Sequence, residues 1–265
     1  MTEGKQGEHG NGPLAGKVCV VMGVQNRWSI AWAIAEAMAR EGATLAVTYA
    51  DERAKREAAS LVTDQPGARA YQCNVESDEE LDALGAALER DYGRVDALVH
   101  SIAYAPPAEL KGRFLETSRD GFRLAMSVSV YSLIAVTQRV APLMGDGGSI
   151  MTLTYLGSER VFPQYNVMGV AKAALEATVR YLAGDLGGQR IRVNAISAGP
   201  IKSAAARGIP GFMDMLKYFA ERAPLKTPFD AKEVGNVAAF LASDAAAAIT
   251  GETIYVDNGY HIMGM

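Results

Sequence analysis

The chain is poor in the residues that build metal centres and disulfide frameworks. Only two cysteines, Cys19 and Cys73, and three histidines, His9, His100 and His261, occur in 265 residues. The cysteines lie far apart inside apolar stretches, so they read as small core residues in a reducing compartment. No histidine has a second ligand at zinc spacing, and no metal is expected. No uninterrupted apolar run reaches membrane-spanning length, so no membrane is expected. There is no excess of positive charge: 26 basic against 30 acidic residues give −4, which argues against nucleic acid as a partner. The 27 glycines follow no Gly-X-Y period, which excludes a collagen-like chain.

What is present is ample apolar material, 49% of the chain, enough for a sizeable core. Residues 1–13 are polar and glycine-rich, lack a hydrophobic signal core, and read as a disordered tail. Beyond them, β-branched apolar runs alternate with helical patterns. Strands are expected at 18–22, 43–49, 68–73, 95–100, 149–153, 191–196 and 253–256. Helices are expected at 29–41, 51–63, 77–90, 118–144, 164–186 and 231–243. Such alternation means repeated βαβ units. The reading is α/β: a single doubly wound, Rossmann-like domain over 14–265, with a seven-stranded, mainly parallel sheet and helices on both faces.

Ligands in such sheets bind beyond the carboxyl ends of the strands, which directs attention to the residues after each run. After the first strand, Gly23 makes a turn and Ser29-Ile30 opens a helix. Free N–H groups and the helix dipole there favour a phosphate, although the full G-x-G-x-x-G pattern is absent. After the second strand stand Ala50, Asp51, Glu52 and Arg53. The two carboxylates disfavour a ribose 2′-phosphate, so NADH is expected over NADPH. Asn74 and Val75 follow the third strand, where an amide and an apolar wall suit adenine. Ser101, Ile102 and Ala103 follow the fourth, where small residues let backbone approach a ligand.

Tyr155, Tyr165 and Lys172 form the main catalytic candidate. Tyr165 and Lys172 are seven apart, which on a helix returns to one face after two turns. An ammonium beside the phenol is expected to lower its pKa from about 10 and to help polarise a carbonyl. The stretch 200–223 is rich in small and apolar residues and reads as a mobile substrate lid. From Pro200 to Lys226 there are five basic and two acidic residues, a local excess opposite in sign to the whole chain. Lys217 and Arg222 belong to it. This basic surface is a candidate docking face for an acidic partner.

Taken together, these motifs resemble the short-chain dehydrogenase/reductase superfamily, and within it the NADH-dependent enoyl-acyl-carrier-protein reductases of bacterial fatty-acid synthesis. The motifs are Gly23-(x5)-Ser29-Ile30-Ala31, His100-Ser-Ile-Ala-Tyr-Ala-Pro106, Ser129-Val-Tyr-Ser132, Tyr155-(x9)-Tyr165-(x6)-Lys172 and Arg192-Val-Asn-Ala-Ile-Ser-Ala-Gly-Pro-Ile201. The commoner carbonyl-reducing branch carries Tyr-x3-Lys, but counted from Tyr165 that lysine position is Gly169 here. The resemblance implies reduction of a trans-2-enoyl thioester, with acyl carrier protein as partner, a cytoplasmic homotetramer, and the following site. Tyr165 bonds the thioester oxygen, Lys172 the nicotinamide ribose, and Tyr155 and Ala105 line the substrate pocket. Gly23, Ser29 and Ile30 meet the pyrophosphate. Ala50, Asn74 and Val75 lie at the adenosine end, and Ser101, Ile102 and Ala103 along the cofactor. Ile201, Lys202, Ser203, Ala204 and Ala205 cover the nicotinamide. A carbonyl reductase on the same fold and a non-enzymatic dinucleotide sensor remain as alternatives.

Overall fold

β1 (Val18–Met22) is buried at all five positions, and its side chains serve two cores in alternation. Cys19 and Val21 point into one, Val20 and Met22 into the other. That is the pattern of a strand covered by helices on both sides. The computed structural model describes residues 12–202 and 212–264. The expected tail 1–13 therefore falls outside the described residues, except Gly12 and Pro13. Gly12 is engaged, its carbonyl accepting from the Ala15 N–H at 2.9 Å.

Six more strands join β1: β2 (Thr44–Tyr49), β3 (Arg69–Gln72), β4 (Ala97–His100), β5 (Gly148–Thr154), β6 (Ile191–Ala198) and β7 (Thr253–Val256). Their order is β3-β2-β1-β4-β5-β6-β7, and every pairing is parallel. The strand order reverses between β1 and β4, which opens a crevice at their carboxyl ends.

α1 (Ile30–Arg40), α2 (Glu52–Val62) and α8 (Ala231–Ala242) contribute to one core. α3 (Asp78–Tyr92), α5 (Ser132–Val140) and α6 (Val167–Leu186) contribute to the other. Helix starts are set by side-chain caps. Ser29, Asp51, Ser77 and Ser118 each accept a bond from a backbone N–H three residues on. Each such cap stabilises its helix by about 1 kcal/mol.

Two elements depart from the sequence expectation. The helix expected over 118–144 is α4 (Arg119–Met126), a π-helical turn (Ser127–Tyr131), α5 and a 3-10 turn, end to end. The Ser132 hydroxyl donates back to the Val128 carbonyl at 2.6 Å, and the buried Ser129 hydroxyl bonds the Tyr104 backbone; both draw the backbone from regular α geometry. The run Arg119–Leu143 is long and apolar enough to cross a membrane by length and composition, but more than half of its apolar window is buried in protein. The helix expected from Gln164 begins only at Val167, because Gln164 and Asn166 have φ of 63° and 40°. Tyr165 therefore sits on an irregular turn before α6, not on a helical face shared with Lys172.

Candidate active site

The crevice at the strand reversal is built by close backbone approach. Gly23 has φ 85°, and a Cβ there would stand 2.2 Å from the Ser101 carbonyl oxygen and 3.3 Å from Ile102 Cγ1. Only glycine fits both demands. Gly23, Ser101 and Ile102 are thus brought together. The N-terminus of α1 opens beside them. The Ser29 hydroxyl donates to the Asn26 carbonyl at 2.8 Å and accepts from Trp32 N–H at 3.2 Å.

The adenosine-end candidates are already engaged in local structure. Asp51 caps α2, accepting from Ala54 N–H at 2.9 Å, and Glu52 pairs with Lys55 at 2.8 Å. Ala50, just before them, is exposed. Asn74 Oδ1 accepts from Glu76 N–H at 3.1 Å, which holds the loop after β3 in an Asx turn. Val75 packs against the core that contains α3 and α5. Ala103 is exposed; Ile201 is buried and Lys202 exposed. Ser203, Ala204 and Ala205, with most of the expected lid's small residues, lie outside the described residues.

Tyr155 follows β5 directly. Its ring packs edge-on against Tyr165, centroids 5.2 Å apart, and against Phe162 at 5.0 Å. A Cβ on Gly157 would come within 2.5 Å of the Tyr165 ring and 3.1 Å of the Tyr155 ring, so this glycine lets the two rings share one shelf. Ala105 joins Ala125, Val167 and Met168 in a small apolar cluster on which Tyr165 packs. From above, Met215 of α7 (Phe212–Arg222) accepts a bond from the Tyr155 hydroxyl at 3.3 Å. Phe212 and Phe219 anchor α7, the latter beside Phe229 and Tyr260.

Lys172 is buried and donates to the Leu153 carbonyl at 2.7 Å, beneath the end of β5. Burial pulls its pKa down to about 8, against an opposing push from Glu176. The phenol of Tyr165 shifts opposite to the sequence expectation. Burial raises its pKa well above the ordinary value, and Glu176 adds to the rise. Burial is the larger of the two causes and disfavours the charged phenolate, while the Lys172 ammonium is committed to a main-chain carbonyl. Tyr165 is a neutral hydrogen-bond donor at physiological pH. Tyr155 is raised in the same way, by burial and then by Tyr165.

Several polar residues around this site were not singled out from sequence. Glu176, one turn after Lys172, is buried and accepts from the Thr154 hydroxyl at 2.6 Å. An i, i+4 reading from Lys172 would have found it. His100 is fully buried between Thr152 Oγ1 at 3.0 Å and Ser132 Oγ at 2.7 Å. Since Ser132 gives its proton to the Val128 carbonyl, His100 Nε2–H donates to Ser132, the Thr152 hydroxyl donates to the His100 carbonyl at 3.2 Å, and burial keeps the imidazole neutral. Ser129 holds the loop after β4 by accepting from Tyr104 N–H at 3.0 Å and donating to the Tyr104 carbonyl at 3.1 Å.

Comparison with known proteins places these features among relatives. A family model described as enoyl-(acyl carrier protein) reductase matches residues 23–261. The chain is 51% identical over 255 residues to the NADH-dependent enoyl-[acyl-carrier-protein] reductase 1 of Rhizobium meliloti, covering 96% of this chain and 94% of that one. It is 50% identical over 250 residues to the NADPH-dependent enzyme of Staphylococcus aureus strain MRSA252, covering 94% and 98%. Among solved structures, the Bacillus cereus enoyl-acyl carrier protein reductase with NADP+ and indole naphthyridinone superposes with a TM-score of 0.94 at 50% identity, covering 96% of this chain and all of that one. The Aquifex aeolicus NADH-dependent reductase gives 0.93 at 49% identity, covering 96% and 100%.

Proposed function

This chain belongs to the enoyl-(acyl carrier protein) reductase family, and we propose that it reduces trans-2-enoyl-acyl-carrier-protein thioesters to saturated acyl thioesters in fatty-acid elongation. The observation that carries the chemistry is Tyr165: a neutral phenol on the turn before α6, its pKa raised by burial, packed edge-on to Tyr155 at the end of β5. The residues present fit NADH. The Gly23–Ser101 approach fixes the backbone after β1 against that after β4, the α1 N-terminus suits a pyrophosphate, and Asp51 and Glu52 disfavour a 2′-phosphate.

NADH held in the crevice would supply a hydride to the β-carbon, and a proton at the α-carbon completes the saturated thioester. Tyr165 donates its hydroxyl hydrogen bond to the thioester oxygen, where enolate charge develops as the reaction proceeds. Tyr155 orients the Tyr165 ring and walls the pocket with Ala105. Lys172 would bond the nicotinamide ribose from beneath β5. Gly23, Ser29, Ile30, Ala50, Asn74, Val75, Ser101, Ile102, Ala103, Ile201 and Lys202 would line the cofactor. α7 covers the acyl chain, and Met215 against the Tyr155 hydroxyl supports that reading. Its exposed Lys217, with Arg222 nearby, faces acyl carrier protein.

The assembly is read as a homotetramer. An apolar groove of about 470 Å3 along α4 and α5, lined by Phe122, Met126, Val130, Tyr131 and Ile134, supports self-association. A cytoplasmic location agrees with two buried free thiols, Cys19 and Cys73. The deciding assay follows NADH oxidation with crotonyl-CoA and with acetoacetyl-CoA. Turnover of crotonyl-CoA is expected. Turnover of acetoacetyl-CoA alone would establish a carbonyl reductase, and binding of NADH without turnover of either a sensor.

A further inference from the structure

Beneath β5, two charged side chains of α6 are buried one turn apart without touching each other. Lys172 Nζ donates to the Leu153 carbonyl at 2.7 Å, and Glu176 Oε1 accepts from the Thr154 hydroxyl at 2.6 Å. Both residues are more than nine-tenths buried. A buried carboxylate is costly to hold and is not needed to pack a helix on a sheet. Its partners on β5 immediately precede Tyr155, and its neighbour on α6 is the lysine of the site.

We propose that Glu176 is a positioning residue of the reaction: anchored by Thr154 and buried one turn from Lys172, its carboxylate holds that side chain as an ammonium against the Leu153 carbonyl. The idea rests on the roles given above to Tyr165 and Lys172. The charges around it leave this task to Glu176. On β4, His100 is held neutral by burial and by the Lys172 ammonium, so it brings the lysine no charge. After β5, Tyr155 is neutral and Glu159 is turned to the Tyr255 hydroxyl. From β7 onward, Asp257 is occupied by His261 at 2.9 Å and by two backbone N–H groups, and Tyr255 and Tyr260 are neutral phenols. Glu176 alone among these opposes the desolvation of Lys172, whose pKa of about 8 lies only just above physiological pH. The same carboxylate raises the Tyr165 phenol. One buried negative charge thus favours protonation of both groups, as a donor to an enolate and a donor to a ribose hydroxyl require.

The test is Glu176→Gln, whose amide oxygen still accepts from Thr154 while the charge is gone. Lys172 is titrated directly by NMR of protein carrying 13C at the lysine ε-carbons, with Lys172→Met used to assign the signal. The proton affinity of Lys172 is expected to fall at least about tenfold. The KM for NADH is expected to rise at pH 8, where the lysine is then neutral, and to stay near wild type at pH 6. Glu176→Asp, which keeps the charge, is expected to restore most of the alkaline activity. Should the glutamine variant fail to fold, Glu176→Met fills the same volume and reads the same shift. An unchanged Lys172 titration, or a loss uniform from pH 6 to pH 8, would overturn the proposal. The titration needs no turnover. If enoyl reduction itself fails in the substrate assay, the charge-setting role is still judged separately.

Discussion

Replacing Gly23 with alanine tests whether the crevice depends on backbone contact between β1 and β4. Two costs separate cleanly, because Gly16 offers a control. Gly16 has φ 74°, but a Cβ there would meet nothing within 4 Å. Gly16→Ala therefore carries the left-handed backbone cost of about 1–2 kcal/mol, offset by about 0.4–1 kcal/mol from a less flexible unfolded chain. A net loss of roughly 1 kcal/mol lowers Tm by about 2–4 °C. Gly23→Ala carries the same cost, and its methyl would stand 2.2 Å from the Ser101 oxygen. Relieving that contact moves the end of β4 outward by more than about 1 Å, since non-bonded heavy atoms settle at about 3.5 Å. Such overpacking adds about 1–3 kcal/mol. Gly23→Ala should therefore lose roughly 2–4 kcal/mol, about twice to four times the loss of the control. NADH affinity should fall more than tenfold, because the displaced segment begins the stretch assigned to the cofactor. Differential scanning calorimetry and fluorescence titration of NADH read both quantities. Equal Tm losses for the two variants, with NADH affinity kept in Gly23→Ala, would refute the assignment of this crevice to the cofactor.

Tyr165→Phe removes only the donor aimed at the developing enolate, so steady-state kinetics should show kcat lower by roughly 10²–10³-fold with NADH affinity little changed. Lys172→Met instead should weaken NADH binding by roughly ten- to a hundredfold, the worth of a hydrogen bond from a charged group. Reversing Lys217 and Arg222 to Glu should slow turnover of carrier-bound substrate and spare crotonyl-CoA; an equal loss on both substrates would remove the docking assignment. His100 is held neutral by burial, its pKa lowered from 6.5 to about 3. A folded-state pKa below the unfolded one stabilises the fold above pH 6.5, and that contribution is lost as pH falls towards 3. Between pH 7 and pH 5 the wild type should therefore lose about 2 kcal/mol more than His100→Gln in urea unfolding at each pH. Parallel pH profiles would show that the imidazole is not buried as a neutral group.

The parts of the molecule legible in the sequence are those set by local periodicity and local chemistry. Continuous apolar runs read as strands because parallel strands are buried on both faces, and Ser29, Asp51 and Ser77 mark helix starts because each completes its cap within three residues. Small residues after strands point to the crevice for a similarly local reason: Gly23 must be glycine to pass Ser101. What periodicity hides is decided by side chains reaching across elements. The helical pattern runs through Ser127–Tyr131 and through Gln164–Asn166, yet the first is a π turn that carries Ser129 to the Tyr104 backbone, and the second is a left-handed kink that lifts Tyr165 off the helix. Both irregularities border the site, where function sets a geometry that propensity opposes. The same limit explains the reversed expectation for the tyrosine. Spacing placed an ammonium near the phenol, but the fold turns Lys172 to the Leu153 carbonyl, and burial of the phenol, with Glu176 adding to it, makes Tyr165 harder to ionise. That outcome suits the chemistry better than the expected one. A phenolate has no proton to offer an enolate oxygen, whereas a neutral tyrosine gives a hydrogen bond that strengthens as the charge appears.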